Sequence, residues 1–186
     1  MNDSTKVLFR EIQERYVKVL WTHKIQLCQA NIHKEKNKCH NMVLAILSVL
    51  VSAAAITNLL KWLPGPLIVP ILVILSLALT FFTILYKAEN LEKAAYENEH
   101  FAAIMHDLRN RYARLLAEIK AGILTDQQII QKCEVLEHEE NLIYTGIVPT
   151  TTQKAVDAAE KALKFKQEST TTDKEIELLV SSNFQL

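Results

Sequence analysis

The chain has 186 residues, no formal net charge and a mean hydropathy of +0.07. Those totals admit one ordinary domain or a membrane segment with a modest soluble part. They exclude the dense basic character of a nucleic-acid tail, and three glycines and four prolines weigh against a strand-rich fold.

Charge is segregated along the chain. Residues 1–40 carry eight Lys and Arg against four acidic residues, whereas residues 122–186 carry six Lys against eleven. Between them, residues 41–86 hold a single formal charge, Lys61. Asymmetry of this kind points to a membrane or an intramolecular partner. Cys28, Cys39 and Cys133 form no CxxC pair and read as reduced thiols. The first forty residues are polar, so no cleavable signal peptide is expected.

In chain order, Asp3 or Ser4 can cap a first long helix, and no Gly or Pro interrupts residues 4–39. Its apolar positions Leu8, Ile12, Tyr16, Val19, Leu20 and Leu27 fall on one stripe. Residues 42–60, MVLAILSVLVSAAAITNLL, and 67–86, LIVPILVILSLALTFFTILY, contain no ionisable group apart from the terminal tyrosine. Each would form a helix about 28–30 Å long, the thickness of a bilayer core, and each is apolar all round. Pro64-Gly65-Pro66 between them stops the first span, and Pro66 can open the second. Pro70 either kinks that second span or begins it. Lys61 and Trp62 at the turn, and Tyr86 and Lys87 at the far end, suit a membrane interface. The lysines of HKEKNKCH (33–40), with Lys87 and Lys93, outnumber Lys61 in the turn. Both termini are therefore expected in the cytoplasm.

No helix breaker occurs from Lys87 to Ala121, so the second span is expected to run on as one long helix. Leu91, Ala94, Asn98, Phe101, Met105, Leu108, Tyr112, Leu115 and Ile119 alternate steps of three and four, a coiled-coil pattern. This helix is expected to pack antiparallel on residues 4–39 as a stalk. Asn98 sits in the seam, where it either sets the register or is solvated. Gly122 ends the helix, and Thr125-Asp126-Gln127-Gln128 forms a capping box for the next, which closes at Gly146 and Pro149. An alanine-rich helix spans about 153–166. A polar linker then leads to a last short helix capped by Thr172 and Glu175. The organisation expected is thus an N-terminal helix (1–40), a transmembrane hairpin (41–87), a cytoplasmic helical region (88–168) and a tail (169–186). The fold class is all-α membrane protein.

Enzyme chemistry has no convergent set of groups here. The histidines are scattered, and Cys39, His40 and His33 lack the further ligands a metal needs. Glu137, Glu139 and Glu140 read as a solvated helix face. No cofactor, no phosphate loop and no nucleic-acid motif is expected. Within the spans, Ser76, Thr80 and Thr83 share one face, as do Ser48, Ser52 and Ala55. Small and hydroxyl residues so placed let transmembrane helices approach, or bond back to their own helix, or line a path when several copies assemble.

A polar helix of about forty residues, a two-span hairpin, a long helix and a short helical tail resemble the SLATT domain family. So does AEIKAGILTDQQIIQKCEVLEHEENLIYTGIVPTT (117–151), with its Gly stop, Thr-Asp cap, acidic helix and Pro-Thr close. The likeness covers about residues 5–168. The terminal TTTDKEIELLVSSNFQL lies outside it and would serve a system-specific partner. Members of that family are proposed pore-forming or membrane-disrupting effectors of bacterial antiviral systems, found beside SMODS nucleotidyltransferases and SLOG sensors. The resemblance implies a homo-oligomer in the lipid bilayer of the inner membrane. It also implies a partner protein or nucleotide-producing enzyme encoded nearby, and no catalytic residue. The different reading is a passive anchor or scaffold that recruits a cytoplasmic partner.

Overall fold

The computed structural model describes residues 3–60 and 64–164. They form five helices: α1 (Asp3–Leu59), α2 (Gly65–Glu89), α3 (Leu91–Lys120), α4 (Asp126–Thr145) and α5 (Gln153–Lys164). No strand occurs among the described residues. Two compact units result, a bundle built from residues up to Ala30 and from Tyr96 onward, and a hairpin over Asn31–Ala95.

In the bundle, the α3 seam expected from the three-and-four spacing is the buried face. Phe101, Met105, Leu108, Tyr112, Leu115 and Ile119 are all at most 5 % exposed, and Asn98 is buried with them at 2 %. They close on Ile12, Tyr16, Val19 and Leu20 of α1. Two cross-contacts show that the helices run antiparallel: Lys120 lies over the Phe9 ring, and the His23 and His106 rings are 5.4 Å apart.

The expected antiparallel stalk of α1 and α3 is present, and α4 and α5 add residues to the same core. From Thr5–Asp126 through Lys18–Glu140 and Thr22–Tyr144 to Gln29–Thr152, partners on α1 and on the chain from α4 onward keep a separation of 121 to 123 residues. A constant offset over that distance means that α4 lies parallel to α1. It follows that α4 is antiparallel to α3, as the pairs Arg111–Glu139 and Lys132–Glu118 confirm. Ile129, Cys133 and Leu136 carry its apolar contribution to the core. On α5, Ala155, Ala159, Ala162 and Leu163 are buried at the same helical spacing.

Helix ends obey local chemistry. Gly122, at φ +67°, ends α3 in a left-handed residue, with Ile123 N–H donating to Glu118 O and Gly122 N–H to Ile119 O. Thr125 Oγ1 then accepts from Gln128 N–H, and the Gln128 side chain accepts from Thr125 N–H, which completes the capping box. One expectation fails at Asn90. The second span does not run on into α3, because Asn90 adopts φ 41°, ψ 47° and closes α2. Its own carbonyl accepts from Ala94 N–H to start α3. Asn is among the few residues other than Gly that enter the left-handed region at modest cost.

His23 of α1 has a pH consequence. Burial is the main cause that lowers its pKa from 6.5 to about 4, with Arg109, His106 and Lys24 adding to it. A histidine kept neutral in the fold contributes full stability above its unfolded pKa and loses it as pH falls toward its folded one. The bundle should therefore lose about 1–2 kcal/mol between about pH 6.5 and 4, the partial exposure of His23 being discounted. Thermal melts of the full chain in detergent across that range check this. A His23→Gln variant should show a flatter dependence, and an unchanged slope would contradict the assignment.

Candidate functional site

The hairpin is held at its open end by polar contacts. Lys36 Nζ donates to Glu89 at 2.9 Å, and His40 Nδ1 lies 3.8 Å from the same carboxylate. That hydrogen bond from Lys36 is the first cause that holds Glu89 below the usual carboxylate range. The His40 ring meets Tyr86 edge-on. Tyr86 is thus half-buried at the end of the second span, with Lys87 exposed beside it. Lys61 and Trp62 lie outside the described residues.

Above this end, the less exposed positions form two stripes. On α1 they are Leu44, Leu47, Val51 and Ala54, and on α2 Ile68, Leu72, Leu75, Leu79 and Thr83. Val43, Thr57, Ser76, Ala78 and Tyr86 beside them are half-buried, and the other described positions of both spans are open. Val49, Ile56, Ile74, Leu77 and Ile84 are each more than half exposed. In the most apolar eighteen-residue window of each long helix, 6 % is buried. A core helix of a soluble protein would be mostly covered, so this surface requires an apolar solvent. Pro70 lies inside α2, so the second span begins before it, at the Pro64-Gly65-Pro66 turn.

The structure sorts the hydroxyl residues that the sequence put on shared faces. Ser76 and Thr83 are half-buried on the side of α2 that carries its seam, while Thr80 is exposed. Ser48 and Ser52 are exposed too, and line a shallow outward groove of about 350 Å³ with Val49, Ala53 and Ile56. Each hydroxyl with an assigned donor bond turns back on its own helix. Ser48 donates to Leu44 O at 2.8 Å, Ser52 to Ser48 O at 2.9 Å, Thr80 to Ser76 O at 2.9 Å and Thr83 to Leu79 O at 2.7 Å. Such back-bonding satisfies the proton and leaves the oxygen's remaining lone pair available outward.

A second constellation lies in the bundle, where the sequence suggested only a solvated acidic face. Glu140 is 2 % exposed. It accepts from Lys18 at 3.2 Å and from Tyr112 Oη at 2.9 Å, with Arg15 Nη1 at 3.5 Å. Arg15 also pairs with Glu137 at 3.0 Å, and Arg111 holds Glu139. The three glutamates therefore join α4 to both neighbours. Burial, followed by the Glu140 charge and hydrogen bond, raises the Tyr112 hydroxyl well above its ordinary pKa. The one signal in the sequence that could have marked Glu140 is its place in the 129, 133, 136, 140 stripe of α4. Among the described residues, no group of three or more His, Cys, Asp or Glu is placed to hold a metal ion.

Two apolar helices with almost bare flanks, closed at one end by an ion pair and joined in sequence to a helical bundle, define a two-span membrane protein. Residues 8–175 match the model of the SMODS and SLOG-associating 2TM effector domain family 4. The chain belongs to that family, which is one of effector domains of conflict systems and not a known enzyme family. No curated protein and no solved structure matches the chain.

Proposed function

We propose that the protein is a membrane effector of a bacterial antiviral system, one that assembles in the inner membrane and permeabilises it on a signal from a partner. The observation that carries this reading is the exposed apolar hairpin with polar atoms on its outer faces. Two helices cannot enclose a conduit, so a path needs several copies. Ser48, Ser52 and Thr80 are the hydroxyls that face away from the hairpin seam, and they would line that path or bring neighbouring copies into contact. Ser76 and Thr83 serve the packing of the hairpin. Both termini lie in the cytoplasm, where the bundle receives the signal from a partner protein or a nucleotide-producing enzyme encoded nearby. No substrate is turned over.

The experiment compares dye entry in bacteria that express the chain with entry in cells expressing Ser48→Leu/Ser52→Leu/Thr80→Leu at equal abundance. The outward positions are chosen because leucine at the half-buried Ser76 would also crowd the hairpin. Leakage should fall by at least tenfold in the variant. Equal leakage would remove these residues from the path. The passive anchor is the second reading, and what favours it is that each of these hydroxyls is already satisfied within its own helix.

A further inference from the structure

α2 and α3 bury stripes that one unbroken helix would not keep in line. α2 turns Ile68, Leu72, Leu75, Leu79 and Tyr86 inward, and Tyr86 meets His40 of α1. The buried stripe of α3 opens at Leu91 and Ala95. Each residue of an α-helix advances about 100°, so an unbroken helix would set Leu91 about 140° round from Tyr86. Asn90, with backbone angles of 41° and 47°, interrupts that advance between them. Among the described residues it is the one non-glycine with a positive φ. Outliers of this kind collect at switch regions, where the surrounding contacts hold them.

α2 carries a second stripe that stays unburied. Val73, Leu77, Thr80, Ile84 and Lys87 lead to Leu91 at steps of four, three, four, three and four, the alternation of the α3 seam, and all five are exposed. With Asn90 in the helical region these residues would continue that seam, and α2 would present them to α1 in place of Leu72, Leu75 and Leu79. Such a turn costs α2 little, because both faces are apolar and lipid tails solvate either as well as a neighbouring leucine does. The α3 seam has no such freedom, since turning it would expose Phe101, Met105 and Leu108 to water. What selects the setting of α2 is therefore local. Beside Asn90, Glu89 accepts from Lys36 at 2.9 Å, and His40 Nδ1 lies 3.8 Å from the same carboxylate. In an unbroken helix Glu89 would lie about 160° from Leu91, turned away from Lys36.

We propose that α2 has two rotational settings in the membrane, exchanged at Asn90, and that Lys36 and His40 latch Glu89 in the one described here. In this setting Thr80 faces outward with Ser48 and Ser52. In the other it turns toward α1 and leaves the outer face, so the latched setting is the one that permeabilises. That last link rests on the function proposed above.

The test uses full-length chains in bacterial membranes with Cys28→Ser, Cys39→Ser and Cys133→Ala. The antiparallel register of Lys36–Glu89 and His40–Tyr86 puts Leu47 level with Leu79 and Thr80. One chain carries Leu47→Cys with Leu79→Cys, and another Leu47→Cys with Thr80→Cys. Copper phenanthroline closes whichever pair faces, and a polyethylene-glycol maleimide counts the thiols left on the monomer band. The latched setting predicts closure of the Leu47/Leu79 pair. Asn90→Ala, which disfavours the left-handed region, should shift the ratio toward the Leu47/Thr80 pair about tenfold. Asn90→Gly should hold it where it is. Glu89→Gln should shift it as alanine does, and Lys36→Glu with Glu89→Lys should return it. A ratio unmoved by both Asn90→Ala and Glu89→Gln overturns the two settings. Dye entry with native Leu47, Leu79 and Thr80 should fall in the same two variants. A shifted ratio with dye entry unchanged leaves the two settings standing and overturns their link to permeabilisation.

Discussion

Glu140→Ala should cost the bundle about 2–4 kcal/mol, a large part of the 5–15 kcal/mol that holds a domain of this size. The carboxylate is 2 % exposed and meets groups from α1 and α3, so its loss strands three partners at once. Arg15 and Lys18 can turn toward water, because their side chains are 29 % and 62 % exposed. Tyr112 cannot, and its fully buried hydroxyl is left without its acceptor. Glu140→Gln keeps an oxygen for Tyr112 and loses the charge, so it should cost roughly half as much. Denaturant melts of the full chain in one detergent measure both variants. Equal losses would mean that the charge is the whole effect and that the oxygen kept for Tyr112 contributes nothing.

Met105→Ala should be as severe, at about 2–5 kcal/mol, for a different reason. Met105 is 0 % exposed in the α1/α3 seam, and alanine there leaves a cavity among Ile12, Tyr16 and Leu108. On the same helix Tyr96 is 68 % exposed, and Tyr96→Ala should change stability by less than about 0.5 kcal/mol. The contrast tests the register directly, since a seam rotated by one residue would not leave these two positions so far apart. Comparable losses at both would contradict the packing described.

These two residues also mark what could be read in the sequence and what could not. Met105 belongs to a stripe that repeats for four heptads, and periodicity of that length reports a buried face without knowledge of the partner. The spans were legible for a similar reason, since residues 42–60 and 67–86 are uncharged for the thickness of a bilayer. Glu140 is the opposite case. Runs of glutamate on a helix usually face water, and only the partners brought by α1 and α3, 122 and 28 residues away, make this one internal. The same long separations hid α4 as the third helix of the bundle. Asn90 was overlooked because nothing around it interrupts helical periodicity. Its one signal is a residue type that tolerates a positive φ. Among the span hydroxyls, the sequence placed Ser76, Thr80 and Thr83 on one face. Only the width of the hairpin seam separates the half-buried pair from the exposed Thr80.

The most direct test of the account is the membrane potential of infected cells that carry this chain with its genomic neighbours. The account predicts rapid depolarisation after infection with the wild-type chain, and a potential that holds with Ser48→Leu/Ser52→Leu/Thr80→Leu at equal abundance. A potential that holds with the wild-type chain while the cells remain protected would contradict permeabilisation and make the hairpin an anchor.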